Sequence, residues 1–389
     1  MRKMQAKPPN NKLRFGIIAA LIIAVIAIVY ISSLPPTPTL ITVNTTSTAN
    51  TTTTIIFNTS ISSSTTISPN TTINSSSTTI PVQAATSNSI YCVGGATNQG
   101  FISQSYYAPL LNSDRIGNWT ETTPYPINGT PESCFDYDNY IYCMGQGVNN
   151  TFSYYARLSS AGIGNWSETA QYPSPISSPS CAVNNGYIYC VGGYNNITKG
   201  MSNLTYYAKL TSSGISNWSN TTPLNMSVRN QPCIANNGSI YCLDGYENVT
   251  LDAPLTPSGI GKWHIIEGYP AAFIGENCMD YSNHIYCIGG ATQTGIALNS
   301  TYFTLTINTT GIKWVGLTSY PLFSLPLSSL SCVAANNNSY CIGGYTNQTY
   351  YIGLSSRGVT ANAWNASTPY PLSIGSPACV LNLDGKISK

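Results

Sequence analysis

Charge is what this chain of 389 residues has least of. Asp, Glu, Lys and Arg make up 7% of it, against about a quarter in an ordinary soluble domain. Its polar surface must therefore come from Asn, Ser, Thr and Tyr, and from attached sugars. The first acidic residue is Asp114, and between Arg14 and Asp114 there is no charge of either sign. From residue 85 onward acidic residues outnumber basic ones, so the electrostatic footprint of a nucleic-acid binder is missing. Histidine is nearly absent too, with only His264 and His284. No Ser-His-Asp set, phosphate loop or dinucleotide fingerprint can be assembled. The cysteines lack the two-to-four-residue spacing that zinc ligands want, so neither a metal nor a cofactor is expected.

A long apolar run is present. Residues 15–34, FGIIAALIIAVIAIVYISSL, would span about 30 Å as a helix, the hydrocarbon thickness of a bilayer. Arg2, Lys3, Lys7, Lys12 and Arg14 precede it and assign residues 1–14 to the cytoplasm. The run is too long for a signal-peptide core and lacks an A-x-A cleavage site. A single-pass signal anchor in the cell membrane is therefore expected, with the rest of the chain extracellular; a cleaved signal peptide would leave it outside as well. Residues 35–84 are Ser/Thr/Pro-rich and too polar to form a core, which reads as a disordered, glycosylated stalk. About twenty-one Asn-x-Ser/Thr sequons occur, including Asn118, Asn165, Asn196, Asn217, Asn248 and Asn308, a density that suits a surface glycoprotein. Twelve cysteines, an even number, point to the same oxidising compartment.

From residue 85 to 389 the sequence repeats about every fifty residues, a period of propellers and solenoids. Each unit has a Tyr-Cys strand: Tyr91-Cys92, Tyr142-Cys143, Tyr189-Cys190, Tyr241-Cys242, Tyr286-Cys287 and Tyr340-Cys341. A glycine pair usually follows, as in Gly94-Gly95 and Gly192-Gly193, then an aromatic strand such as Tyr106-Tyr107 or Tyr206-Tyr207. A Gly-containing turn leads to the unit's one tryptophan: Trp119, Trp166, Trp218, Trp263, Trp314 or Trp364. A Pro-rich linker then reaches a strand that opens with the other cysteine. The pattern Ile-Tyr-x-x-Gly-Gly, then Tyr, then Trp resembles the kelch repeat over roughly 300 of the 389 residues. The resemblance implies an all-β, six-bladed kelch-like β-propeller with four strands, a to d, per blade, joined to the N-terminal transmembrane helix and stalk. Blade two departs with Gly145-Gln146-Gly147. Blade four departs with Asp244-Gly245 and with Leu251-Asp252 where a tyrosine pair is expected. The tryptophans are expected to fill contacts between neighbouring blades.

Within this frame the cysteines pair. In CAVNNGYIYC a tight Asn-Asn-Gly turn sets Cys181 opposite Cys190 on strands a and b. The same spacing pairs Cys134–Cys143, Cys233–Cys242, Cys278–Cys287 and Cys332–Cys341. Blade one begins at its b strand, with Gln83 where a cysteine is missing. The resemblance implies that the C-terminal strand 377–383 completes it, so that Cys92 pairs with Cys379 and clasps the ring.

Function is less legible. The b–c loops vary in length and share one face with the d–a linkers, and variable loops on a rigid scaffold are where binding concentrates. Tyr125, Tyr172, Tyr269, Tyr320 and Tyr370 in the linkers, with Tyr194, Tyr246 and Tyr345 in the loops, are candidates for a weakly charged rim that binds a glycan or protein. The competing expectation is that Tyr-Pro packs the linkers between blades. Asp244, Glu247 and Asp252 form the densest acidic cluster, a candidate calcium or acid/base site weighed against a solvated loop. The leading expectation is a non-catalytic adhesion, envelope or recognition protein. The alternative is a carbohydrate-active enzyme, of sialidase or sugar-epimerase type.

Overall fold

The computed structural model describes residues 88–382, except 112–114, 132, 146–150, 229–230, 245–247, 271–272, 293, 295, 309–310, 322–328 and 361–362. The anchor at 15–34, the tail at 1–14 and the stalk at 35–84 lie outside the described residues. Among the described residues no helix is long and apolar enough to cross a membrane. They are all-β and fold into a succession of antiparallel sheets.

Sheet three shows the plan. Ser180–Asn184 pairs with Tyr187–Val191, which pairs with Thr205–Thr211, with Ser219–Asn220 on the outside. Four other sheets repeat this a-b-c-d order. Five a–b hairpins turn on two residues that both have positive φ, such as Asn185 (49°) with Gly186 (76°) and Asn336 (48°) with Asn337 (62°). This backbone is the mirror-image turn whose twist matches that of paired strands, and Asn and Gly adopt it at least cost. Sheet one is assembled from both ends of the domain: Ala378–Asn382 supplies its a strand beside Ser89–Thr97. Each a strand touches the a strands of the sheets before and after it, and the sixth touches the first. The six sheets therefore form a closed, propeller-like ring with the a strands innermost.

All six expected disulfides are present. In each, the two cysteines stand directly opposite on strands a and b, with Cα atoms 4.0–4.1 Å apart. Cys92–Cys379 joins the first described strand to the last.

Between sheets one contact recurs. Tyr125, Tyr172, Tyr269, Tyr320 and Tyr370 are buried, each 1–5% exposed. Each sets its ring edge against the tryptophan of the next sheet at 4.8–5.3 Å: Trp166, Trp218, Trp314, Trp364 and Trp119 in turn. Each also meets the leading c-strand aromatic of that sheet, as Tyr172 meets Tyr206. These five tyrosines are thus not rim residues; the linker-packing expectation describes their position. A Tyr-Pro linker must cross from one sheet to the next, and the buried seam there is the nearest apolar surface for a ring. Between sheets three and four both tyrosines become leucines together: Leu224 and Leu251 pack with Trp263. The indole N–H groups of Trp119, Trp166, Trp218 and Trp263 donate to carbonyls of the preceding linker at 3.0–3.4 Å.

Two polar contacts fix the spacing. The hydroxyls of Tyr91, Tyr142 and Tyr189 donate to c–d turn carbonyls of the next sheet at 2.7–2.8 Å. Thr169 Oγ1 accepts from the Ile215 N–H at 2.6 Å, and the neighbouring Gly214 has φ +110°. A Cβ there would lie 2.3 Å from that oxygen, so only glycine lets the sheets approach this closely.

Two predictions follow from the packing. On a chain-entropy argument the clasp restrains the unfolded chain by about 5–6 kcal/mol and a hairpin staple by about 2.7. Cys92→Ser/Cys379→Ser should therefore lower the melting temperature more than Cys181→Ser/Cys190→Ser in calorimetry; an equal loss would contradict the closure role. The buried hydroxyl of Tyr172 has no partner among the described residues. Tyr172→Phe should hold or raise stability by up to about 1 kcal/mol, while Tyr172→Ala should cost about 3–5, as read by urea denaturation.

Candidate binding site

The inner strands enclose a cavity of about 930 Å³. Its wall is sixfold in origin: Cys134, Cys181, Cys233, Cys278, Cys332 and Cys379, one a-strand cysteine per sheet, all line it. Above them come the ends of the d–a linkers, such as Gly129, Ser178, Gln231 and Ser376, with Phe101 from the first b–c hairpin. The cavity is therefore a funnel on the b–c/d–a face, because each linker enters its a strand from that side.

The wall is polar but mostly committed to holding the ring. Ser180 Oγ accepts from the Cys233 N–H (2.7 Å), Asn277 Oδ1 from Cys332 (3.1 Å) and Ser331 Oγ from Cys379 (3.1 Å). Each bond satisfies an inner-edge amide of the following sheet. Two wall residues differ. Gln231 is buried, and its Oε1 has no partner among the described residues. Glu276 is 6% exposed, and among the described residues its carboxylate oxygens have no partner beyond Glu276's own backbone. Burial pushes Glu276 up from 4.5 to about 8; a hydrogen bond from its own backbone opposes the rise and the nearby Asp244 adds to it. At neutral pH this carboxyl is held protonated.

Glu276 and Gln231 were not among the residues singled out from sequence, although a signal existed. Glu276 stands two residues before Cys278, Gln231 two before Cys233 and Glu132 two before Cys134; Glu132 lies outside the described residues. The acids that were singled out do not converge. Asp244 is buried at the funnel-side end of its b strand. Asp252 sits across from His264 on strands c and d, with Oδ1 3.6 Å from Nδ1. Glu247 lies outside the described residues. No group of three His, Cys, Asp or Glu among the described residues could hold a metal ion.

Of the loop tyrosines, Tyr194 is half-buried in a small sheet with Ile176–Ser177 and Gly200–Met201. Tyr345 is exposed, and Tyr246 lies outside the described residues. The funnel face nevertheless has a rim, and it is apolar. Of the exposed large hydrophobic residues, Phe101, Phe152, Ile197, Met201, Leu204, Ile296 and Tyr345 all lie in b–c connections, spread over five sheets. Only Leu111, Ile265 and Leu305 lie elsewhere among the described residues. Seven of the ten exposed large hydrophobic residues described thus lie on the side to which the funnel opens.

Glu276 generates a pH prediction. The unfolded chain loses this proton near 4.5 and the folded chain near 8. Between those values the folded state binds more protons, so this group makes stability fall as pH rises. Glu276→Gln should raise the melting temperature at pH 8 by several °C and leave it unchanged at pH 4. A variant that melts lower than wild type at pH 8 would show the carboxylate to be paired.

No family model and no curated protein sequence matches this chain. Among solved structures, that of YjhT matches with a TM-score of 0.52 at 13% identity, covering 71% of this chain and 97% of that one. At this identity the likeness concerns the fold.

Proposed function

We propose that this chain is a membrane-anchored, extracellular recognition protein: a six-bladed, kelch-like propeller on a glycosylated stalk, binding a glycan or protein without catalysing a reaction. The observation that carries this reading is the coincidence of a funnel and an apolar rim on one face. The six disulfides suit an oxidising, extracellular setting. Asn118, Asn165 and Asn217 are exposed in their sequons, whereas Asn196 is buried and donates to the Pro175 carbonyl, which removes it from the accessible acceptors.

A second reading is favoured by one observation. A buried carboxyl held protonated near neutral pH is what a general acid requires, and Glu276 is such a group at the funnel wall. This keeps a carbohydrate-active enzyme as the alternative.

The test uses the full-length, oxidised and glycosylated chain in nanodiscs. It should bind isolated cell envelope or a glycan array. The double variant Ile197→Ser/Ile296→Ser or the double variant Phe101→Ala/Tyr345→Ala should weaken that binding at least tenfold. Retained binding in both would remove the funnel face from the mechanism. Turnover of an array glycan that is lost in Glu276→Gln would favour the enzyme instead.

A further inference from the structure

The geometry points to the funnel as a binding site for the end of a neutral oligosaccharide, stacked at the mouth on Phe101 and Tyr345 and hydrogen-bonded within by Gln231 and its neighbours. This rests on the recognition reading above and assigns it a ligand class.

Three observations converge. The first is a pair of exposed aromatics on neighbouring sheets, one of them at the mouth. Phe101 lines the cavity, is 67% exposed, and pairs with Ala96 in the b–c hairpin of sheet one. Ala96 and Gly375 exchange two backbone hydrogen bonds of 2.8 Å. Tyr345 of sheet six lies directly over Gly375, where a Cβ would come within 2.7 Å of the ring. Two exposed rings from adjacent sheets are thus connected through one backbone bridge, Tyr345 by its contact with Gly375 and Phe101 through its hairpin partner Ala96. Aromatic surfaces that stay exposed beside a polar pocket suit a ligand with both an apolar face and polar edges, and a pyranose ring has both.

The second is the chemistry of the wall. Hydroxyls, amides and disulfide sulfurs line it, and no Lys, Arg or His occurs among its described residues. With Glu276 protonated, the described wall is close to neutral. A phosphate or carboxylate entering it would leave water without finding a counter-charge, which is costly. A neutral hydroxylated ligand exchanges water hydrogen bonds for wall hydrogen bonds of the same kind. The third is Gln231, whose buried Oε1 has no partner among the described residues and whose Nε2 has among them a 3.9 Å contact to Cys233 Sγ. Buried amides left in this state are satisfied by something else, and a sugar hydroxyl can donate to that oxygen. The cavity's 930 Å³ falls within the range of about 300–1,000 Å³ typical of ligand sites.

The experiment is isothermal titration of the full-length chain in nanodiscs with neutral tetrasaccharides built on glucose, mannose, galactose or N-acetylglucosamine. Acidic uronic-acid and sialylated tetrasaccharides form the second arm. At least one neutral member should bind. Affinity should fall more than tenfold in Phe101→Ala/Tyr345→Ala and in Gln231→Leu, and stay within twofold in Ile265→Ser/Leu305→Ser, two exposed positions away from the funnel face. Melting temperature and the absence of free thiols check that each variant is folded. Binding of acidic members only would overturn the neutrality of the site. Binding that survives loss of both rings would overturn the site. If no saccharide binds while cell envelope is still captured and Ile197→Ser/Ile296→Ser weakens that capture, the ligand is a protein. The saccharide assignment then falls and the recognition reading stands.

Discussion

Closure is the constraint from which the rest of this structure follows. A single sheet of four short strands has two faces to cover, and here each is covered only by a neighbouring sheet. The last seam must be made by residues nearly three hundred positions apart. Pairing Ala378–Asn382 with Ser89–Thr97, under the Cys92–Cys379 bond, turns an open stack into a ring without exposed faces at its ends. Every other seam then repeats one solution, in which a linker tyrosine or leucine is driven into the next sheet beside its tryptophan.

The funnel is a consequence of that closure. Six inner strands arranged around an axis leave their inner edges facing a central space, and edge amides need partners there. Ser180, Asn277 and Ser331 provide them from the preceding sheet. The wall is thus polar for structural reasons before any ligand is considered. What a ligand can use is the remainder: the groups that the ring does not consume, Gln231 and Glu276, and the rings at the mouth.

Much of the architecture was legible because its determinants are local and repeated. Tyr-Cys, an Asn-rich two-residue turn and a second cysteine nine positions away specify a stapled hairpin within ten residues. Even the clasp could be read, since one cysteine at each end was left without a local partner. The site was read less well. Tyr125 and its counterparts looked like a rim because tyrosine beside proline suits both a binding edge and a buried seam. Only the position of the following sheet's tryptophan separates the two. Phe101 carried no such signature, being one aromatic in a variable loop, and Glu276 carried only its place two residues before a cysteine, which it shares with Glu132 and Gln231.

By itself the sequence determined the unit, its number and its covalent staples, because turn chemistry and cross-strand pairing act over a few residues. Tertiary structure decided which tyrosines are buried, where the carboxyl of Glu276 loses its water, and which loops share a face. Those properties depend on what the neighbouring sheet brings to the same place, and Tyr345 of the sixth sheet comes to Gly375, bonded to the first sheet's Ala96, only once the ring has closed.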